Sequence, residues 1–282
     1  MRLQMKLRTV LAVAIVLCMA AGASAQFGRR GGFGGFGRGA RPKLPTADTF
    51  GHGFNFCRGM YARQIYREAG GTGWSTDFPD AELNFSIRLS ELTKTRVAFD
   101  RTHTPDFVTV RLTDKELFQC PQLHMEDVGT LEFTDEEIEA LRAWFNKGGF
   151  LWVDDFWGSA AWEQWEQEIS RVLPPSDYQI VDLPLDHPLF HAQFGVSEFP
   201  QIPAIQHWRG NMYDTSERGE DSRVPEHRAI LDKNGNVMVF MTHNTDISDA
   251  WEREGEDPRY FYQFSPKGYA VGINVMLYAM TH

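Results

Sequence analysis

Two adjacent aspartates, Asp154 and Asp155, directly follow an apolar run in the stretch GGFLWVDDFWGSAAWEQW. The run FLWV (150–153) predicts a buried strand, and Ser159 is a candidate N-cap for the helix that follows. In open parallel sheets, ligands bind beyond the carboxyl ends of the strands. Successive side chains leaving a strand point to opposite sides. One of the two acids should therefore face such a cleft, while the other caps a helix or braces a turn.

Other polar clusters follow predicted strands in the same way. Arg58 follows FNFC, the stretch WSTDFPD precedes a predicted helix, and THNTD follows the strand VMVFM. Charged and amide groups beside aromatic walls are typical of small-ligand sites. The predicted ligand-binding residues are Arg58, Trp74, Asp77, Asp154, Asp155, Trp157, Asn244 and Asp246.

The sequence also leaves structural roles open for these residues. Asp77 is a candidate helix N-cap, and Asn244 and Asp246 are common turn residues. Arg58 and Asp155 leave two different strands, and an arginine fork matches a carboxylate in a bidentate pair. We therefore expect Arg58 and Asp155 to meet as an ion pair on the floor of the cleft.

The sequence lacks the usual nucleophile and zinc motifs, since GxSxG and HExxH are both absent. His187 and His191 are four residues apart, but Pro188 favours a turn over a metal-binding helix face. Cys57 ends a predicted strand without a preceding glycine, and Cys120 is followed by Pro121, so neither fits a nucleophile elbow. In an oxidising compartment these two cysteines pair or remain buried thiols, and the sequence leaves both alternatives open.

Strands that alternate with helices of 10–15 residues predict the scaffold for these residues. DAELNFSIRLSELT (80–93) and the stretch after Ser159 have helical periodicity, while DFVTVRL, QIVDL, AIL and VMVFMTH predict strands. Such alternation predicts an α/β three-layer sandwich with a mainly parallel sheet, of the Rossmann-like or flavodoxin-like kind.

Several element boundaries can also be predicted. GMYARQIYREAG (59–70) resembles a helix, and RVAF (96–99) a strand. Thr134 and Glu137 form a capping-box pattern for a helix that ends before Gly148. The stretches at 209–227 and 252–260 resemble polar loops, and GYAVGINVMLYAMTH predicts a closing helix packed on the sheet.

The N-terminal segment differs from the rest of the chain. Residues 1–25 have the pattern of a secretory signal peptide, with cleavage expected before Gln26. Residues 26–48 are rich in Gly, Arg and Phe and predict a disordered arm, and residues 49–282 predict a single α/β domain. The first 45 residues hold eight of the 28 basic residues and none of the 38 acids. We expect no transmembrane span in the mature chain. The rest of the chain is strongly acidic, which argues against nucleic acid as a partner.

Five motifs in order resemble the bacterial DUF4159 family from about Phe54 to His282: WSTDFPDAELNF, GGFLWVDDF, HPLF, HNTDISDAW and the C-terminal GYAVGINVMLYAMTH. The resemblance implies a fold similar to class I glutamine amidotransferase-like domains. It implies no activity, because the family is one of unknown function.

Two functions follow as expectations. The first is a non-catalytic domain that binds a small polar ligand or a protein of the cell envelope, without a cofactor or metal centre. The alternative is a carboxylate- or metal-dependent hydrolase that uses the acids at the carboxyl ends of the strands; a divalent metal, if used, would be held by Asp154, Asp155 and Asp246. Three acids whose oxygens converge would favour this second function.

Overall fold

A computed structural model describes residues 41–65, 72–210 and 214–282. The predicted signal peptide and most of the predicted arm lie outside this part of the chain. The described end of the arm contacts the domain, because the backbone N–H of Thr109 donates to the Lys43 carbonyl at 2.8 Å and the Lys43 ammonium pairs with Asp106. Among the described residues, Lys43 thus already contacts the domain, although the expected boundary is at residue 49.

The strands in the described part of the chain are Phe56–Met60 (β1), Arg63–Gln64 (β2), Phe107–Arg111 (β3), Gln122–Glu126 (β4), Leu131–Glu132 (β5), Phe150–Asp154 (β6), Ile180–Asp182 (β7), Glu226–Leu231 (β8) and Val237–His243 (β9). Seven of these described strands form the main sheet in the order β3-β1-β4-β6-β9-β8-β7. The first five strands in this order are parallel, and β8 runs antiparallel to both of its neighbours. A separate antiparallel pair joins β2 to β5.

Helices cover both faces of this sheet. The α-helices are Asp80–Leu92 (α1), Asp135–Phe145 (α2), Gly158–Val172 (α3), Ile205–Gly210 (α4), Asp249–Glu252 (α5) and Pro258–Ala279 (α6). Alternate residues of a strand point to opposite faces. In β6, Trp152 joins the apolar cluster under α1 and α6, whereas Leu151 and Val153 join the cluster under α2 and α3. The expectation of an α/β fold with a mainly parallel sheet is thus confirmed.

The strongest local patterns are confirmed. The helix at 80–92 and the strand at 150–154 lie where the periodicity predicts them. The capping box is present, because the Thr134 side chain accepts from the Glu137 N–H and the Glu137 side chain accepts from the Thr134 N–H. The closing helix is also present, although it begins ten residues earlier than predicted, at Pro258, where the Asp257 side chain caps it.

The local predictions for residues 59–65 and 96–99 are wrong in the described structure. The segment 59–65 is not helical, because Gly59 and Met60 continue β1 and Arg63–Gln64 forms β2; residues 66–71 lie outside the description. A Cβ on Gly59 would come within 2.7 Å of the Met125 Cγ atom, so close packing in the sheet overrides local helix propensity. The stretch 96–99 forms only isolated bridges, Phe54 to Val97 and Phe99 to Pro105.

Cys57 and Cys120 form a disulfide, which decides between the two alternatives that the sequence left open. The bond lies in the apolar cluster under α2 and α3 and joins β1 to the segment that precedes β4. Among the described residues, no helix combines the length and hydropathy needed to cross a membrane.

Candidate functional site

Three neighbouring strands end in the same backbone conformation. Asp127 after β4, Asp155 after β6 and Asn244 after β9 have φ angles of 52°, 52° and 60°. Asp and Asn are the residues besides glycine that tolerate this left-handed region. In each case the polar residue with positive φ makes a sharp turn, while the polar residue directly before it is the last residue of the strand. This explains why two aspartates follow FLWV.

Asp154 is fully buried at the end of β6. Its Oδ1 atom accepts from the Thr242 hydroxyl at 2.5 Å, and its Oδ2 atom accepts from the backbone N–H of Ser248 at 3.1 Å. Burial raises the pKa of Asp154 to about 8, although the Thr242 hydrogen bond opposes the shift. Asp154 thus ties β6 to β9 and to the loop before α5.

Asp155 and Trp157 contact each other. The indole Nε1–H of Trp157 donates to the Asp155 Oδ1 atom at 2.9 Å, and Trp157 is 4% exposed. Burial raises the pKa of Asp155 well above the ordinary range, with Glu217 and Asp127 adding to the shift.

Asn244 holds the beginning of α3. Its Oδ1 atom accepts from the Gly158 N–H at 2.8 Å, and its Nδ2 atom donates to the Val224 carbonyl at 3.0 Å. Asp221 accepts from the Ser159 N–H at 3.0 Å. The Asn244 and Asp221 side chains thus accept from the free N–H groups at the beginning of α3. Ser159 is not the N-cap residue, and the expectation that it caps this helix is wrong. Asn244 therefore has a structural role beside the candidate site.

The expected pair of Arg58 with Asp155 is also wrong. The Arg58 Nε atom lies 2.5 Å from the Glu82 Oε1 atom of α1, and its Nη1 atom lies 3.0 Å from the Glu126 Oε1 atom at the end of β4. All three side chains are fully buried. Glu126 belongs to the strand adjacent to β1, whereas Asp155 follows a strand one position further along the sheet. We call Arg58, Glu82, Glu126 and His124 the Arg58 network.

In the Arg58 network, the guanidinium contacts both glutamates. Burial alone would lower the pKa of Arg58, but Glu126 and Glu82 raise it above its ordinary value. For Glu126, burial acts to raise the pKa, yet Arg58 and His124 hold it at about 2. The His124 Nε2 atom lies 2.9 Å from the Glu126 Oε1 atom and 3.0 Å from the Ser248 hydroxyl. Both His124 and Ser248 are fully buried, so this serine–histidine contact is closed to substrate.

A second group of acids lies at the same edge of the sheet, and we call it the acidic pocket. One carboxylate oxygen from each of Asp77, Asp246 and Asp249 lies within 4.8 Å of the others. Glu252 is adjacent, with its carboxyl group in hydrogen-bonding range of Asp77. The sequence predicted Asp77 and Asp246 as site residues, and the fold brings these two together.

The backbone fixes the ligand atoms of the pocket. Asp246 Oδ1 accepts from the Asp249 N–H at 2.8 Å, and Asp249 Oδ2 accepts from the Ile205 N–H at 2.7 Å and from the Tyr260 hydroxyl at 3.2 Å. Asp77 has a φ of 60° and precedes the cis Phe78–Pro79 bond. It lies partly exposed at the rim, but its Oδ2 atom is buried without a hydrogen-bond partner in the described residues.

The carboxyl groups of this pocket oppose one another's ionisation. Burial raises the pKa of both Asp77 and Asp246 well above the ordinary range; Asp246 adds to the shift of Asp77, and Asp155 adds to the shift of Asp246. Burial and Asp249 also raise the pKa of Glu252 to about 8. Among the described residues, Arg253 contacts the pocket with a positive charge, and it is shared by Asp249, Glu252 and Glu256.

Trp74 lines a different depression. It borders a cavity of about 580 Å³ together with Tyr61, Met60 and Arg111, near the ends of β1 and β3. Trp74 packs edge-on against Phe78, which follows Asp77.

The residues that the sequence reasoning missed are Glu82, Glu126, His124, Asp249, Glu252 and Arg253. The stretch DISDAWE carries acids at positions 246, 249 and 252. A spacing of three places side chains on one face of a helical turn, and this signal was available in the sequence. The partners of Arg58 had no such signal.

The fold and site define a mixed α/β domain with a buried acidic site at the carboxyl edge of its parallel strands. The family model of DUF4159, described as a domain of unknown function, matches residues 62–280, and the chain belongs to this family. The match confirms the family resemblance. No curated protein matches the chain.

Proposed function

We propose that this chain is a non-catalytic binding domain of the cell envelope, and that its ligand carries positive charge and enters the acidic pocket. The observation that carries the proposal is the buried Asp77 Oδ2 atom, which has no hydrogen-bond donor among the described residues. A buried carboxylate without a partner costs several kcal/mol. A cationic ligand would supply the missing interaction.

The place of the pocket supports a binding role. Open parallel sheets bind ligands beyond the carboxyl ends of their strands, and the pocket lies beside the ends of β4, β6 and β9. The signal-peptide pattern at residues 1–25 supports export to the envelope.

The state of Cys57 and Cys120 favours binding over catalysis by a nucleophilic cysteine. On the family resemblance, we propose that the sheet is of the class I glutamine amidotransferase-like kind. The cysteine chemistry of those enzymes does not transfer, because Cys57 and Cys120 are joined in a disulfide. A disulfide sulfur carries no thiolate for attack on a substrate.

A thermal-shift and calorimetric screen tests the proposal. The purified chain is mixed with calcium, magnesium, spermidine, lysine and, as anionic probes, phosphate and acetate. We expect at least one cation to raise Tm, and Asp77→Asn to abolish the shift. Asp182→Asn is the matched control, because its carboxylate is 91% exposed on the edge strand β7. Stabilisation by anions alone, or by no probe, would contradict the proposal.

A carboxylate-dependent hydrolase is the second candidate. It is favoured by the contact between the carboxyl groups of Asp77 and Glu252, because two carboxyls that share a proton can divide the roles of acid and base. Of the acids first considered, Asp154 is already bonded to Thr242 and Ser248, so Asp77 and Glu252 are the better pair. Chromogenic ester, glycoside and phosphate substrates distinguish the candidates: turnover that Asp77→Asn abolishes supports the hydrolase.

A further inference from the structure

We infer that the acidic pocket binds a divalent metal of the oxygen-preferring class, calcium first, through Asp77, Asp246 and Asp249. The inference rests on the proposed function, since it names the cation that the pocket takes. It departs from the sequence-based expectation of no metal centre and from the ligand set first considered, which contained Asp154 and Asp155.

The spacing of the ligand atoms is the first argument. The three carboxylate oxygens lie within 4.8 Å of one another. Calcium binds oxygens at about 2.3–2.6 Å in flexible geometry, whereas magnesium demands near-ideal octahedral geometry at about 2.0–2.1 Å, so a group of three carboxylates without octahedral constraint favours calcium. The group contains no nitrogen or sulfur ligand, and such donor sets suit calcium or magnesium rather than zinc or copper.

A buried oxygen without a donor is the second argument. The Asp77 Oδ2 atom is buried and has no hydrogen-bond partner in the described structure. Glu126 lies outside the group of three and is paired with Arg58, but its charge repels both Asp77 and Asp246.

The nearby donors are already engaged. The Arg253 Nε atom lies 3.1 Å from Asp249 and 2.8 Å from Glu252, and its Nη1 atom lies 2.8 Å from Glu256. The Tyr260 hydroxyl lies 2.8 Å from the Pro203 carbonyl. A single arginine therefore faces several carboxylates, and a divalent ion would supply the remaining positive charge.

The pocket also has features that ligand-binding carboxylates need. The Ile205 N–H orients Asp249, and the Asp249 N–H orients Asp246. Such outer contacts fix metal ligands in position. Asp77 and Glu252 are partly exposed, while Asp246 and Asp249 are buried, so an ion can enter from the Asp77 side. Glu252 is placed to act as a fourth ligand, with water at the remaining positions.

Isothermal titration of the chelator-treated full chain tests the inference. Calcium, magnesium and spermidine are titrated separately. We expect one calcium per chain with a Kd of about 10⁻⁴ M, the scale of extracellular calcium modules, and weaker magnesium binding. Asp77→Asn and Asp246→Asn should each weaken calcium binding at least 10-fold, while Asp182→Asn should bind as the wild type does. Asp77 is at the rim, so this variant keeps the test valid if Asp246→Asn does not fold.

The outcomes separate the two proposals. Binding of spermidine without either metal overturns the metal inference and leaves the cation-binding function in place. Binding of none of the three overturns both. Calcium binding that Asp77→Asn leaves unchanged places the ion elsewhere and also overturns the inference.

Discussion

Two groups of buried acids lie at the same edge of the sheet, and they differ in how their charge is balanced. In the Arg58 network, one guanidinium reaches both Glu82 and Glu126, and all three side chains are fully buried. In the acidic pocket, Asp77, Asp246 and Asp249 converge, while Arg253 is shared with acids outside the group of three. Burial of acids therefore does not by itself mark a ligand site; we propose that a group of three acids without a cation at its centre does.

Removing the cation of the Arg58 network should have the largest effect. We expect Arg58→Ala to lower the free energy of unfolding by about 3–5 kcal/mol, because Glu82 and Glu126 would remain buried without their partner. Chemical denaturation measures the change. The matched control is Arg63→Ala, whose pair with Glu132 is largely exposed and should contribute about 0–1 kcal/mol. Similar small losses for both variants would mean that burial does not distinguish the two pairs.

Removing the disulfide on the opposite face of β1 should lower stability without changing calcium affinity. Cys57 is adjacent to Arg58 but points to the opposite side of the sheet, where it is bonded to Cys120 across a sequence separation of 63. The double variant Cys57→Ser, Cys120→Ser should lose about 2–4 kcal/mol of stability. Calcium affinity, measured by titration below the melting temperature, should be unchanged. A large change in affinity would show that the two faces are coupled.

The pH dependence of the free energy of unfolding tests the raised pKa of Asp154. The pKa of Asp154 is about 8 in the folded chain, against about 3.9 for an unfolded aspartate. The protonated form thus favours folding, and this contribution is complete below about pH 4 and is lost as the pH rises through about 8. We expect a fall of at most about 1.4 kcal/mol per pH unit for this proton.

Denaturation of the wild type and of Asp154→Asn across this pH range isolates the effect. The variant cannot ionise at position 154, so its stability should fall less steeply between pH 4 and 8. Parallel curves for the two proteins would mean that Asp154 is already ionised in the folded chain near neutral pH.

The sequence predicts the fold better than the site, and particular residues show why. Thr134 with Glu137 and the apolar run FLWV carry local signals that need no distant partner, and both predictions are confirmed. β4 was not predicted, because QLHME places His124 and Glu126 on one face and resembles no apolar strand. Those polar residues are tolerated at the centre of the sheet because they contact Arg58 and Ser248.

The candidate site was predicted only in part for the same reason. Asp77 and Asp246 were proposed because they follow or precede regular elements, and their carboxylate oxygens come together in the fold. Glu82, which pairs with Arg58, lies inside a helical pattern 24 residues away, and nothing local distinguishes it from a surface glutamate. Long-range partners of this kind depend on the order of strands in the sheet, which the sequence pattern did not specify.

The stability of Asp77→Asn with and without calcium tests the central claim most directly. In chelator, removing one of several mutually repelling charges should leave the variant as stable as the wild type, or about 1 kcal/mol more stable. Saturating calcium at 100 times its Kd should stabilise the wild type by about 2.7 kcal/mol and the variant far less. A variant that is markedly less stable in chelator, and that responds to calcium as the wild type does, would contradict the account and assign Asp77 a structural role.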